Sequence, residues 1–181
     1  MITAVNPKIT RVSPLFMFHG KEHKRLLALY MAVVVLHACE HILQLYQFAV
    51  LGWARPASGG LLGLWAPQLA MSELLHFGYN SFQLVGLLAL LGGFKGRART
   101  MWIIATCLQG WHWFEHALIQ MQWITKLYLY NGPKQMSVLE ILLPRIELHF
   151  LYNMIVLIPT VIAVYLYARK LLDARRARQS A

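Results

Sequence analysis

The residues best suited to chemistry in this sequence are histidines and glutamates that recur in one short motif. The motif His-x-x-Glu-His occurs twice, 75 positions apart, at His37, Glu40, His41 and at His112, Glu115, His116. On an α-helix, side chains spaced i, i+3 and i+4 lie within an arc of about 100° and point the same way. Imidazole nitrogens and carboxylate oxygens both bind transition metals. Each motif therefore predicts part of a metal site.

A second motif adds one more histidine to each half of the chain. The pattern Leu-His-Phe-x-Tyr-Asn contains His76 in the first half and His149 in the second, 73 positions apart. Each copy follows one copy of His-x-x-Glu-His, so the two motifs are used twice in the same order. This order indicates two tandem repeats, each a hairpin of two helices.

Four apolar segments must position these motifs, at 25–53, 71–94, 100–125 and 143–168. Each segment is long enough to cross about 30 Å of hydrocarbon as a helix. The composition agrees, because 58% of the residues are hydrophobic and only seven are Asp or Glu. We therefore predict an all-α polytopic membrane protein, a four-transmembrane-helix bundle. Its parts are a basic N-terminal arm, two transmembrane hairpins and a basic tail, at 1–24, 25–94, 95–168 and 169–181.

The distribution of Lys and Arg predicts the orientation in the membrane. Thirteen of the 17 basic residues lie in the N-terminal arm counted through Arg25, the short turn at 95–99 and the tail, all on one predicted side. Because cytoplasmic segments carry the excess of Lys and Arg, both termini are predicted to be cytoplasmic. The basic residues lie at the ends of apolar segments, which argues against nucleic acid as a partner. We expect the arm, with His19 and His23, to be solvated and the tail to be frayed.

The histidines are predicted to lie at one depth in the bilayer. His37 and His112 are each 12 residues into their segments, or about 18 Å from the cytoplasmic side. His76 and His149 are five or six residues into segments that begin at the other side, or about 8–9 Å from it. In a layer of about 30 Å these depths nearly coincide. One shared site in the outer half of the bilayer is therefore expected.

This site would contain more ligands than one metal ion needs, so we predict two transition-metal ions. The candidate ligands are His37, Glu40, His41, His76, His112, Glu115, His116 and His149. Imidazole suits Zn, Cu, Fe and Ni, and added carboxylates favour Fe, Zn or Mn. We predict Fe or Cu, with Zn possible. Polar neighbours that could orient the imidazoles are Tyr79, Asn80, Gln83, Tyr152 and Asn153. Whether Glu73, Glu140, Glu147 or Arg145 joins the site is left open by the sequence.

Three known kinds of metal site resemble these motifs. His-x-x-Glu-His is similar to the motif of inverted zinc metallopeptidases, but there it occurs once and in soluble domains. The clustered histidines resemble the histidine boxes of di-iron membrane hydroxylases and desaturases, although the spacing here differs. The four-helix layout is similar to ferritin-like di-iron bundles, in which the helices supply Glu and Glu-x-x-His. None of these families covers the chain.

The sequence favours an oxidoreductase that activates O₂ or a related small oxidant for a lipophilic or small substrate. It contains no flavin or nicotinamide motif and no Cys-x-x-Cys pair, so electrons must come from a quinol, a membrane protein partner or the substrate. Three alternatives remain open at this point. They are metal transport or delivery, binding of haem b by paired histidines, and an accessory subunit of a larger membrane complex with a structural metal.

Overall fold

The computed structural model describes residues 20–180, and this part of the chain is helical with no β-strand. The α-helices are α1 Gly20–Ala49, α2 Gly60–Trp65, α3 Pro67–Ala70, α4 Glu73–Leu90, α5 Arg97–Thr125 and α6 Arg145–Gln179. Short 3₁₀ turns occupy Arg55–Ala57, Leu91–Gly93, Leu129–Asn131 and Leu139–Ile141. The prediction of an all-α protein is confirmed.

Three of the helices are long and apolar enough to cross a membrane. They are Gly20–Ala49, Glu73–Gly93 and Arg145–Gln179. This agrees with the prediction of an integral membrane protein. Helix α5 has 29 residues, but it carries the second His-x-x-Glu-His motif and three glutamines, which lower its hydropathy. The outer surface carries many exposed apolar side chains, including Leu36 (70% exposed) and Ile124 (65% exposed).

The four long helices pack side by side as a bundle. Helix α5 contacts both α4 and α6, and α1 closes the ring by contacting α6 and, less extensively, α4. One half of the bundle, at the end where α1 begins and α6 ends, has an apolar core. Trp102 is its largest fully buried side chain. The Trp102 indole N–H donates to the Leu87 carbonyl at 2.7 Å, and the ring stacks on Phe94 at 4.1 Å.

The structure corrects two expectations about the ends of the chain. Helix α1 begins at Gly20, and His23 is 1% exposed instead of solvated. Its Nε2 donates to the Leu90 carbonyl at 3.0 Å. The imidazole fits because Gly93 has no Cβ, which would lie 2.0 Å from the His23 ring. At the other end, α6 continues to Gln179 instead of fraying after residue 168. The basic side chains in its last turn stabilise this end, because positive charges interact favourably with the negative end of the helix dipole. His19 lies outside the described residues.

Candidate metal centre

Six histidines from all four long helices meet in the half of the bundle that lacks the apolar core. They are His37 and His41 on α1, His76 on α4, His112 and His116 on α5, and His149 on α6. The ring centroid of His76 lies 5.5 Å from that of His149 and 5.9 Å from that of His116. The His41 ring lies 5.8 Å from that of His149. The histidines of both halves of the chain therefore form one continuous cluster.

The first hairpin, α1 and α4, contributes three of these rings, and each ring has a hydrogen bond at one or both nitrogens. Nε2 of His37 and Nε2 of His41 are 2.9 Å apart, and His41 Nδ1 donates to the Gln44 side-chain oxygen at 2.8 Å. His76 Nδ1 lies 2.8 Å from the carbonyl oxygen of Ser72, the residue that caps α4. A carbonyl oxygen only accepts, so Nδ1 carries the hydrogen and Nε2 of neutral His76 keeps its lone pair. Hydrogen bonds of this kind orient histidine ligands of metals.

The second hairpin contributes a tighter group. Ligand nitrogens of His112, His116 and His149 all lie within 4.8 Å of one another, and the three residues are buried. Nε2 of His116 and Nε2 of His149 are 3.2 Å apart. The Nδ1 atoms of His112 and His116 are buried without a hydrogen-bond partner among residues 20–180. Buried polar atoms normally have a partner, and a metal ion bound at His112 Nδ1 would supply one there.

The glutamates of the two motifs face the loops that follow their helices. Glu115 is 2% exposed, and its Oε1 accepts a hydrogen bond from the Leu139 backbone N–H at 3.2 Å. Glu40 Oε1 accepts from the Leu62 backbone N–H in the same way. Neither glutamate belongs to the group of side chains that could share one ion, which within the described residues contains only histidines. A role of these carboxylates as metal ligands therefore stays a prediction, while their contact with the loops is a feature of the structure.

Two glutamines that the motifs did not include make a matching pair of loop contacts. The Gln47 side chain donates to the Gly60 carbonyl at 3.1 Å and accepts from the Gly60 N–H at 2.8 Å. The Gln122 side chain donates to the Met136 carbonyl at 2.8 Å and accepts from the Leu129 N–H at 2.9 Å. Gln47 and Gln122 are 75 positions apart, the spacing of the two His-x-x-Glu-His motifs. That spacing was the sequence signal that could have identified them.

Replacing Gln122 with alanine is expected to release the loop after α5. The substitution leaves partly buried backbone groups of this loop without their side-chain partner, which costs about 1 kcal/mol per hydrogen bond. Hydrogen exchange of the Leu129 and Met136 amides should therefore become faster, while exchange within the middle of α5 stays slow. Gln68→Ala, at an exposed glutamine, is the matched control and should leave both amides unchanged. Unchanged protection in the Gln122→Ala variant would contradict the anchoring role.

The tyrosines predicted to support the site contact the first histidine of each motif. The Tyr79 ring stacks on His37 with centroids 3.5 Å apart, and the Tyr152 ring lies 4.4 Å from that of His112. The Tyr152 hydroxyl accepts a hydrogen bond from the Trp111 indole at 2.8 Å. These contacts fix the planes of two imidazoles by packing.

The predicted amide residues have other partners. Asn80 and Asn153 donate to the backbone carbonyls of His76 and His149 at 2.9 and 2.8 Å. Asn80 Oδ1 also accepts from the Gln109 side chain on α5 at 2.8 Å, so neither asparagine bonds to an imidazole nitrogen. Gln83 is buried, and its backbone carbonyl accepts from the Tyr30 hydroxyl.

The four residues that the sequence left open lie around the cluster in polar contacts of their own. Arg145, at the start of α6, pairs with Glu73, at the start of α4, at 2.5 Å. Glu147 pairs with Arg55 at 2.5 Å. Glu140 accepts from a backbone N–H three residues earlier in its loop at 2.6 Å. These contacts tie α6 to α4 and to the loop after α1.

The two halves of the cluster differ in the space beside them. The histidines of the first hairpin line a cavity of about 320 Å³ between α1 and α4. The histidines of the second hairpin surround a space of about 10 Å³ that is closed by Glu115, Arg145 and Tyr152. About 10–15 Å³ holds one water molecule, so the second space suits a single small ion and the first suits an organic molecule.

No protein-family model, curated protein or solved structure matches this chain. Its function is therefore inferred from the chemistry of the cluster and its surroundings.

Proposed function

We propose that this chain is a membrane-embedded oxidoreductase of four spans whose histidine cluster holds two transition-metal ions. The metals are Fe or Cu, with Zn as the less favoured choice, and the oxidant is O₂ or a related small molecule. The observation that supports the proposal is the meeting of six imidazoles from four helices in one buried cluster. Ionisable side chains at membrane depth are costly and generally mark a functional site.

The distances between ring nitrogens support binding of metal. Two nitrogen ligands at about 2.0–2.1 Å from one ion, in tetrahedral or octahedral geometry, are about 2.9–3.4 Å apart. The His37–His41 and His116–His149 nitrogen pairs are hydrogen-bonded in the structure at 2.9 and 3.2 Å, and they already have this spacing. One ion in each half of the cluster uses one of these pairs. When bound, such ions would supply the electron transfer that side chains of this site lack.

The same distances argue against either of these two pairs as the axial ligands of a haem. Two axial nitrogens on opposite sides of a haem iron are about 4 Å apart, twice the metal–nitrogen distance, and the macrocycle fills the plane between them. The nitrogen pairs here are closer than that. Transport of metal is disfavoured by the apolar core, because Leu27, Val34 and Trp102 fill the half of the bundle that a path would have to cross.

Contacts of the loops support two tandem hairpins. Glu40 and Glu115 accept hydrogen bonds from backbone N–H groups 22 and 24 residues later in the chain. The Gln47 side chain hydrogen-bonds to the backbone of the loop after α1, and the Gln122 side chain hydrogen-bonds to the backbone of the loop after α5. Equivalent positions 75 residues apart thus make equivalent contacts, as expected of duplicated units.

The fourth span is α5 in this proposal. Its 29 residues extend about 43 Å, more than the hydrocarbon thickness. Its polar residues Gln109, His112 and Glu115 are buried between neighbouring helices, so they need not face lipid. With four spans, the excess of Lys and Arg places both termini in the cytoplasm and the histidine cluster in the outer half of the bilayer.

Oxygen consumption by the purified protein tests the enzymatic part of the proposal. The chain is reconstituted into lipid nanodiscs, loaded with Fe or Cu and supplied with a lipid-soluble reductant. We expect O₂ consumption that is lost in a variant carrying His112→Ala and His116→Ala. A loaded, folded protein that consumes no O₂ would contradict the oxidoreductase. An absorption spectrum of the same sample identifies haem by its Soret band, and stoichiometric Zn alone would favour an accessory subunit with a structural metal.

A further inference from the structure

The histidines of the first hairpin lie beside a cavity that reaches the lipid-facing surface. The cavity is formed between α1 and α4, the helices of the bundle that contact each other least among neighbours. Its rim includes Val33 and Leu36 on α1 and Leu75 on α4, which are 40%, 70% and 37% exposed. In a membrane this surface faces acyl chains. A molecule dissolved in the bilayer can therefore reach the cavity without passing through water.

The inner end of the cavity carries the polar groups. His37, His41 and His76 line it, together with Glu40 and Tyr79. An occupant therefore meets apolar side chains at the rim, and imidazole and phenol rings at the inner end. The cavity volume of about 320 Å³ is near the lower end of the range of about 300–1,000 Å³ for small-molecule sites.

The charge of the lining restricts what can bind. Among the residues that the structure describes, no Lys or Arg lines this cavity, and Glu40 is the acidic residue in it. In the metal-free chain a carboxylate or phosphate would enter this cavity without a cation to pair with it, and burial of an unpaired charge is strongly unfavourable. The lining thus excludes fatty acids and phospholipid head groups, and favours an uncharged molecule with hydrogen-bonding groups at one end.

We propose that this cavity is the binding site of an uncharged quinol that enters from the bilayer between α1 and α4. The inference rests on the proposed function, for which a quinol is the electron donor. A quinol ring offers a flat face to the stacked rings of Tyr79 and His37, and its hydroxyls can donate to the Glu40 carboxylate in the cavity lining. The closed site of the second hairpin then holds an ion without contacting the quinol.

The overall reaction balances without a further reactant. Each quinol loses two electrons and two protons as it becomes the quinone. Two quinols together reduce one O₂ to two water molecules, and their four hydroxyl hydrogens end in that water. The quinones return to the bilayer through the opening by which the quinols entered.

Labelling with a photoreactive quinone tests this site directly. The probe is a decyl-substituted benzoquinone carrying an azide, added to the full chain in nanodiscs, and the labelled peptides are identified by mass spectrometry. We expect saturable labelling of the segments of α1 and α4 that line the cavity. In Val33→Trp or Leu75→Trp, which narrow the rim, the probe's affinity should fall at least about tenfold. Val161→Trp, at a similarly exposed valine on α6, is the matched control and should leave labelling unchanged.

Competition and metal analysis complete the test. In the metal-free chain, unlabelled decyl-benzoquinone should displace the probe, whereas dodecanoate should not. Labelling that is not saturable, that ignores both rim variants or that dodecanoate displaces would overturn the quinol site. Metal is measured on the same samples. A metal-loaded chain that does not bind the probe overturns this inference alone, whereas a chain that binds the probe but never binds metal overturns the proposed function.

Discussion

Replacement of His149 with glutamine is expected to weaken the affinity of one of the two metal-binding events by at least about 100-fold. Loss of a residue that only hydrogen-bonds to a metal ligand usually lowers metal affinity by about 10–100-fold, and loss of the ligand itself should lower it more. His149 is the residue of α6 that completes the group with His112 and His116, and its Nε2 lies 3.2 Å from that of His116. Glutamine keeps a polar side chain beside His116 but is a much weaker ligand than imidazole. The measurement is a Co²⁺ titration of the metal-free protein in detergent, followed by visible absorption.

The control for this variant is His23→Gln, which changes another buried histidine at the opposite end of the bundle. His23 bonds to the Leu90 carbonyl and lies next to Phe94, outside the cluster. Both Co²⁺-binding events should therefore keep their affinity in this variant. Equal weakening in the two variants would indicate a general loss of structure. An unchanged titration of His149→Gln would mean that the second hairpin holds no ion.

Replacement of Trp102 with alanine is expected to destabilise the fold by about 3–5 kcal/mol, the usual cost of truncating a large buried aromatic side chain. Trp102 is fully buried, stacks on Phe94 and donates to the Leu87 carbonyl, so the variant loses both packing and a hydrogen bond. Unfolding by SDS in mixed micelles, followed by far-UV circular dichroism, measures the loss. Trp102 lies outside the histidine cluster, so the metal content of the folded fraction should not change.

Trp123→Ala is the matched control for the core. Trp123 is 51% exposed on the outer surface of α5, and substitutions at such positions usually change stability by about 0.5 kcal/mol or less. A destabilisation of Trp123→Ala as large as that of Trp102→Ala would contradict the division of the bundle into an apolar core half and a histidine half.

The helical architecture was predictable because its signals are strong and local. Long apolar runs separated by Gly, Pro and charged turns gave the four long helices, and their boundaries differ from the prediction mainly at the chain ends. The burial of His23 could not be predicted, since it depends on the missing Cβ of Gly93, a residue 70 positions away. A segment rich in Lys, Glu and His otherwise has the composition of a solvated arm.

The clustering of the six histidines could also be predicted from the sequence. Motif spacing and rise per residue led to six imidazoles at one level, and the structure brings these six residues together. The contacts of Glu40 and Glu115 were not predictable, because their partners are backbone N–H groups of irregular loops that no periodicity describes. For the same reason the repeated motifs predicted equivalent surroundings for the histidines of the two halves. The open cavity beside the first half lies between α1 and α4, the neighbouring long helices that contact each other least.

The number of metal ions per chain tests the central claim most directly. The protein is purified from membranes in mild detergent without added metal, and its elements are counted by mass spectrometry against the protein concentration from amino-acid analysis. We expect two ions of Fe or Cu per chain, and none in a variant that replaces all six histidines of the cluster. A folded wild-type chain that contains no Fe, Cu or Zn, and takes up none when these are supplied, would contradict it.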